Sequence, residues 1–250
     1  MLRVEGITQI FGGLTALEDI SFTVGKGLIT GVIGPNGAGK TTLFNIITGL
    51  YSQTSGKVFL EGADISGVPP EKLAPLGLVR TFQNIEMFHQ MTVLENVLVG
   101  LHTRSRSGIL SCALKLPWHL AEERRMRDEA LRWLEFCGIT DLAEVEAGAL
   151  PFGKCRSVEV ARAMAVNPRI LLMDEPAAGL NSRETADLEV LIRKIRDTGV
   201  TVVLVEHDME LVMDICDAIV VLNLGRKLAE GTPRQIQENP AVIKAYLGEG

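Results

Sequence analysis

The sequence predicts an α/β fold: a parallel sheet covered by helices, with an antiparallel β part and an inserted helical subdomain. Three observations carry that expectation. Strand-length apolar runs alternate with helix-period segments over most of the chain, and those runs are apolar on both faces, as in a sheet buried between helix layers. A glycine-rich turn beginning at Gly34 joins one such run directly to a helix. Between about residues 84 and 155 the alternation gives way to a helical pattern, and afterwards it resumes.

Taken in order, residues 3–7 and 20–24 read as early strands on either side of Phe11-Gly12-Gly13. The turn Gly25-Lys26-Gly27 leads into a buried strand at residues 28–33, and helical spacing after the glycine loop ends at Gly49. Residues 57–60 form a strand closed by a turn at 61–64, Pro69 and Pro70 open a short helix that stops near Gly77, and residues 78–81 are again strand-like. The pattern from Val93 to about Phe136 is helical, broken between Ser105 and Pro117, and its charged run at 122–127 is expected to be a solvated helix face. A helix from Arg156, a strand at 170–173, a helix at 183–196, a strand at 201–205, a helix at 209–216 and a strand at 218–222 follow. The expectation is a single domain over 1–250, with its core in residues 1–83 and 156–250 and the helical subdomain at about 84–155.

The chain has 250 residues, 46% of them apolar, which is ample for a buried core. Its 25 Lys and Arg against 31 Asp and Glu give a net charge of −6, which argues against a nucleic-acid partner, since that would need a basic face. Cys112, Cys137, Cys155 and Cys216 have no metal-ligand spacing and read as free thiols in a reducing compartment. No apolar run is long enough to span a bilayer, and the start of the chain lacks a signal-peptide core. The expectation is a soluble intracellular protein, held at any membrane by something else.

The stretch Gly34-Pro35-Asn36-Gly37-Ala38-Gly39-Lys40-Thr41-Thr42 matches G-x-x-x-x-G-K-[ST]. It lies between a strand and a helix, the context in which that pattern binds phosphate. The glycines let successive backbone N–H groups turn inward on phosphate oxygens, and the helix start adds its partial positive charge. Lys40 would place its ammonium on the outer phosphates, Thr41 would ligate Mg²⁺, and Thr42 would contact the α-phosphate. The apolar strand at 170–173 ends in Asp174 and Glu175, delivered where phosphate loops sit. Asp174 would hold Mg²⁺ and Glu175 would orient and deprotonate an attacking water. The next strand ends at Glu206-His207-Asp208, so that His207 would reach the γ-phosphate. Gln83, also just past a strand, would touch Mg²⁺ and the water.

In order along the chain, residues 34–42, Gln83, Leu150-Pro151-Phe152-Gly153-Lys154, Asp174-Glu175, Gly179-Leu180-Asn181 and His207 resemble the ATP-binding subunit of an ABC transporter. Residues 11–17, 81–84, 176–181, 205–209, 231–233 and 242–248 are similar to the branch serving branched-chain amino-acid import. The resemblance spans nearly the whole chain. It implies the ABC ATPase fold, with a P-loop NTPase core, and ATP and Mg²⁺ as cofactors. Among the nucleotide contacts it implies Phe11, stacked on adenine, and Ala16. Lys40, Gln83, Glu175 and His207 are its implied catalytic residues. Leu150, Pro151, Phe152, Gly153 and Lys154 would face a partner's ATP, and Gly179, Leu180 and Asn181 would form a dimer loop.

The implied partners are two membrane permease subunits, a second ATPase chain and, indirectly, an extracytoplasmic solute-binding protein. The implied location is peripheral, on the cytoplasmic face of the cell membrane. Ile85, Met87 and Phe88 would either dock a permease helix or pack in the helical subdomain. Pro151 has no hydroxyl for a γ-phosphate, Lys154 would either reach the partner's nucleotide or point to solvent, and Asn181 stands in place of the more usual aspartate. These departures favour an asymmetric pair with a related chain over a homodimer. Residues 102–119 would be an insertion on the subdomain or a membrane-surface contact. The alternatives are another ABC system, for urea or amide import or for lipid or lipopolysaccharide export, and a soluble ABC ATPase acting on nucleic acid or ribosomes.

Overall fold

The computed structural model describes residues 1–81, 85–102 and 117–247. In chain order the elements are β1 (Leu2–Phe11), β2 (Leu14–Val24), β3 (Ile29–Ile33), α1 (Lys40–Ile47), β4 (Ser55–Leu60), β5 (Ala63–Asp64), α2 (Pro70–Leu73), β6 (Leu78–Thr81), α3 (Val93–His102), α4 (Pro117–Phe136) and α5 (Phe152–Ala165). They continue with β7 (Ile170–Asp174), α6 (Ser182–Asp197), β8 (Thr201–Val205), α7 (Met209–Ile215), β9 (Ala218–Asn223), β10 (Arg226–Gly231), α8 (Pro233–Gln237) and α9 (Pro240–Leu247). The chain divides into two compact units, Met1–Gln83 with Arg169–Gly250, and Asn84–Pro168.

The first unit holds two sheets. One is antiparallel, in the order β2-β1-β4-β5; the other runs β10-β9-β3-β8-β7-β6 and is parallel except for its β10 edge. Strands β3, β7 and β8 are buried at every position, which is why each reads as an unbroken apolar run. Their register is level: Val32 stands opposite Val205, and Asp174 opposite Val205 on the other side. Three neighbouring strands therefore end in one row. A single core joins the sheets and α1 through residues such as Leu2, Val4, Ile20, Val32, Phe44 and Val205. The antiparallel hairpin is longer than its apolar stretches suggest. β10, whose side chains are mostly exposed or half-buried, carries no apolar run that would announce it.

The second unit is helical. Val93, Leu94 and Val97 of α3 pack with Ala130 and Leu134 of α4 and with Val158 of α5. Gly100 permits that packing, since a Cβ there would stand 2.3 Å from the Arg162 carbonyl oxygen. The charged run of α4 lies on its exposed face, as expected. Helix α5 starts at Phe152 rather than at Arg156, and it belongs wholly to this unit. The boundary read from the sequence at about 155 therefore moves to Pro168, because Val158, Ala161 and Ala165 complete the helical core. Helix α5 also carries a buried ion pair, Arg156 Nη1 to Glu159 Oε2 at 2.6 Å.

One buried polar side chain fixes the segment that opens this unit. Asn96 is 0% exposed, accepts from the Phe88 N–H at 3.0 Å, and donates to the carbonyls of Phe88 at 3.1 Å and Thr92 at 2.9 Å. Asn96→Ala would strand those groups. The expected loss is about 1–3 kcal/mol of stability, read as a shift of the urea midpoint without a change in its slope.

Candidate functional site

The glycine loop leaves β3 and turns into α1 as the sequence requires. Gly34 is pressed against the end of β9, where a Cβ would lie 2.2 Å from the Leu222 carbonyl oxygen. Gly37 and Gly39 adopt φ of 79° and 100°, the left-handed region in which glycine costs nothing. Lys40, the first residue of α1, is 6% exposed and donates to the carbonyls of Gly34 at 2.7 Å and Pro35 at 3.1 Å. Burial pushes the Lys40 ammonium below its ordinary pKa, and the charges of Glu175 and Asp174 offset part of that. A phosphate oxygen, fully charged, is a stronger partner for it than either carbonyl.

The loop floors a cleft of about 420 Å³ that Ala16, Thr41, Thr42, Glu175 and His207 also line. Glu175 follows β7 in a left-handed conformation, φ 47°, and its N–H donates to the Val205 carbonyl at 2.9 Å. Strained backbone of this kind persists where the surroundings over-determine it. His207 Nε2 lies 2.8 Å from Glu175 Oε1, so the two strand ends meet side chain to side chain. Asp174 is buried beneath them and its Oδ2 accepts from Arg80 Nη2 at 2.5 Å. Arg80 in turn donates through Nη1 to Asn45 Oδ1 at 2.7 Å and Thr48 Oγ1 at 3.1 Å, both in the α1 segment.

Glu206 ties the two loops together. It is 3% exposed; Oε1 accepts from the Ala177 N–H at 2.7 Å and Oε2 from the His207 N–H at 2.9 Å. Burial pushes its pKa up, against the pull of those backbone N–H groups. At the far end of the chain, burial pushes the Tyr246 phenol up to about 12.

Residues 34–42, Asp174, Glu175 and His207 thus lie together in the first unit, as the sequence reading expects. Gln83 lies outside the described residues, as does most of the stretch at 102–119. Phe11 stands apart from the residues lining the cleft, half-exposed, with its ring edge-to-face on Tyr51 at 5.6 Å. Leu150, Pro151, Phe152, Gly153 and Lys154 belong to the helical unit: Pro151 is the N-cap of α5, while Phe152 and Lys154 are exposed. Gly179 and Leu180 form a turn, the Leu180 N–H donating to the Ala177 carbonyl at 3.1 Å. Asn181 caps α6, its side chain accepting from the N–H groups of Arg183 and Glu184 while Glu184 answers the Asn181 N–H. That is a local reason for a short polar residue there.

Sequence reasoning missed Arg80, Glu206 and Asn96. The signal for each was a polar residue in or beside an apolar run.

A family model described as "ABC transporter" matches residues 17–178, and one described as "Branched-chain amino acid ATP-binding cassette transporter" matches residues 226–250. Over 250 residues the chain is 50% identical to the high-affinity branched-chain amino acid transport ATP-binding protein BraF of Pseudomonas aeruginosa, covering 100% of this chain and 98% of that protein. It is 45% identical, with the same coverage, to the LivG protein of Escherichia coli (strain K12), described in the same words. Among solved structures, the ADP conformation of an ATP-binding cassette of an ABC transporter superposes with a TM-score of 0.87 at 35% identity, covering 100% of this chain and 99% of that one.

The raised pKa of Glu206 has a sign that can be checked. Its ordinary value is about 4.3. With the folded value higher, the native state holds the proton more tightly than the unfolded chain does, so stability falls as pH rises from the ordinary value through the raised one. Glu206→Gln should lack that slope, and the difference between parent and variant unfolding free energies from roughly pH 4 to pH 7, the span above the ordinary carboxylate value, isolates it.

Proposed function

The chain belongs to the ABC transporter family, and we propose that it is the ATP-binding and ATP-hydrolysing subunit of an importer of branched-chain amino acids. The contact between His207 and Glu175 at 2.8 Å, over a loop built for phosphate, carries the hydrolytic part of this reading. The likeness over the full chain to BraF and the match at residues 226–250 support the transported class.

In this reading the triphosphate lies along residues 34–42, and Lys40 transfers its hydrogen bonds from the Gly34 and Pro35 carbonyls to the outer phosphate oxygens. Among the described residues, no group of three or more His, Cys, Asp or Glu side chains could hold a metal ion. The donor set is instead the Thr41 hydroxyl and the Asp174 carboxylate, hard oxygens that suit a cation shared with phosphate. These two residues would hold Mg²⁺, which when bound neutralises charge on the outer phosphates. Arg80 keeps Asp174 Oδ2 engaged and so fixes which way its other oxygen points. Glu175 takes the proton of an attacking water, while His207 holds the Glu175 carboxylate in place and reaches the γ-phosphate.

The helical unit supplies the rest. In the first turn of α5 the Lys154 N–H already donates to the Pro151 carbonyl at 3.0 Å, which leaves the Phe152 and Gly153 N–H groups, beside the exposed Phe152 and Lys154 side chains, to offer a polar end to a nucleotide held by a second ATPase chain. Lys154 and Pro151 differ from the usual signature, which favours a related but different chain in that role. Phe88 is 51% exposed while Asn96 holds its backbone at both ends, an arrangement suited to meeting a permease helix; Met87 packs inward. No helix among the described residues is long and apolar enough to cross a membrane, so the permeases would place this chain at the cytoplasmic surface.

Tagged chain recovered from detergent-solubilised native membranes should bring down two permease chains and a second ATPase. Proteoliposomes of that complex should take up leucine, isoleucine or valine only with ATP on the face carrying this chain, given a matching solute-binding protein on the other. Recovery of ribosomal or DNA-associated proteins without a membrane protein would contradict the reading. So would a complex that hydrolyses ATP but moves none of these amino acids.

A further inference from the structure

The turn between β9 and β10 places a leucine where two physical rules disfavour one. Leu224 has φ 47°, the left-handed region in which a side chain beyond glycine or asparagine is strained, and it is 84% exposed. The turn is not loose. The Gly225 N–H donates to the Ala38 carbonyl at 3.2 Å, and the Gly225 carbonyl accepts from the Glu18 N–H at 2.7 Å. Arg226 grips the Glu18 carboxylate with both Nη2 at 2.6 Å and Nε at 3.0 Å. Gly225 lies so close to β2 that a Cβ on it would stand 2.6 Å from the Ala16 carbonyl oxygen. Leu224 is thereby held at the cleft, which it lines.

The lining of that cleft is chemically divided. Lys40, Thr41, Glu175 and His207 are polar; Leu14, itself 71% exposed, and Leu224 are apolar. A nucleoside triphosphate has the same division, with charge at one end and a sugar and base at the other. Phe11, the aromatic that the family resemblance assigns to adenine, stands against Tyr51 and outside the lining. We propose that Leu224 is a further nucleoside-contacting residue, its isobutyl group packing on the ribose and base of the bound nucleotide. Strain and exposure are tolerated at this turn because the bound nucleotide removes the apolar surface from water. The inference rests on the nucleotide reading of the cleft.

Leu224→Gly and Leu224→Asn both suit a left-handed turn. Each should raise the thermal midpoint, by about 2–4 °C, while weakening ATP binding about three- to tenfold in titration calorimetry. With methyl-labelled leucine, the Leu224 resonance, assigned by its disappearance in Leu224→Gly, should show nuclear Overhauser contacts to ribose or adenine protons of ATP. Unchanged ATP affinity in both variants, or absence of those contacts in ATP-saturated parent protein, would overturn the proposal. Failure of the parent itself to bind ATP would overturn the reading of the cleft, and the contact with it.

Discussion

The level register of β3, β8 and β7 is the constraint on which the site depends. Val32, Val205 and Asp174 stand in one row, so the glycine loop, Glu206 with His207, and Glu175 all leave the sheet at the same height. A slip of one residue would displace a strand end by about 3.3 Å and send its side chains to the opposite face. The contact between His207 and Glu175 is 2.8 Å, so no such slip leaves the site intact. Complete burial of the three strands favours that register, since a slip would draw a flanking polar residue such as Glu175 or His207 into the buried sheet.

Above the sheet, buried polar groups do what the backbone register cannot. Arg80 and Asp174 form a buried ion pair in which the cost of desolvating both ions opposes their attraction. Its effect lies in direction: the carboxylate expected to hold a cation has one oxygen committed and one orientation left. Glu206 acts similarly on backbone, gathering the N–H groups of Ala177 and His207 from loops that follow different strands. The left-handed Glu175 is held between these fixtures, with its N–H bonded to the neighbouring strand.

The loop at residues 34–42, Asp174, Glu175 and His207 were legible in the sequence because each is announced locally, by spacing or by its place at the end of an apolar run. Arg80 was not: its partner Asp174 is 94 residues away, and within a four-residue strand a single charge reads as noise. Glu206 stood in a recognised run but its partner lies across a loop 29 residues distant. Asn181 was legible as a departure from a family pattern, whereas its capping of α6 is a local physical role that the comparison obscured. The reach of the helical unit to Pro168 depended on tertiary packing of α5 against α3, which periodicity alone does not report. Leu224 was hidden for a different reason. Its meaning lies in a backbone angle and an exposure, neither of which a residue name conveys.

Glu175, the residue that follows β7, is the proposed base for ATP hydrolysis in a site assembled by strand register. The most direct test compares ATP binding and steady-state phosphate release for the parent and Glu175→Gln in the assembled complex with Mg²⁺. The expected result is parental ATP affinity and a turnover reduced by at least about 100-fold. Turnover at the parental rate would contradict it.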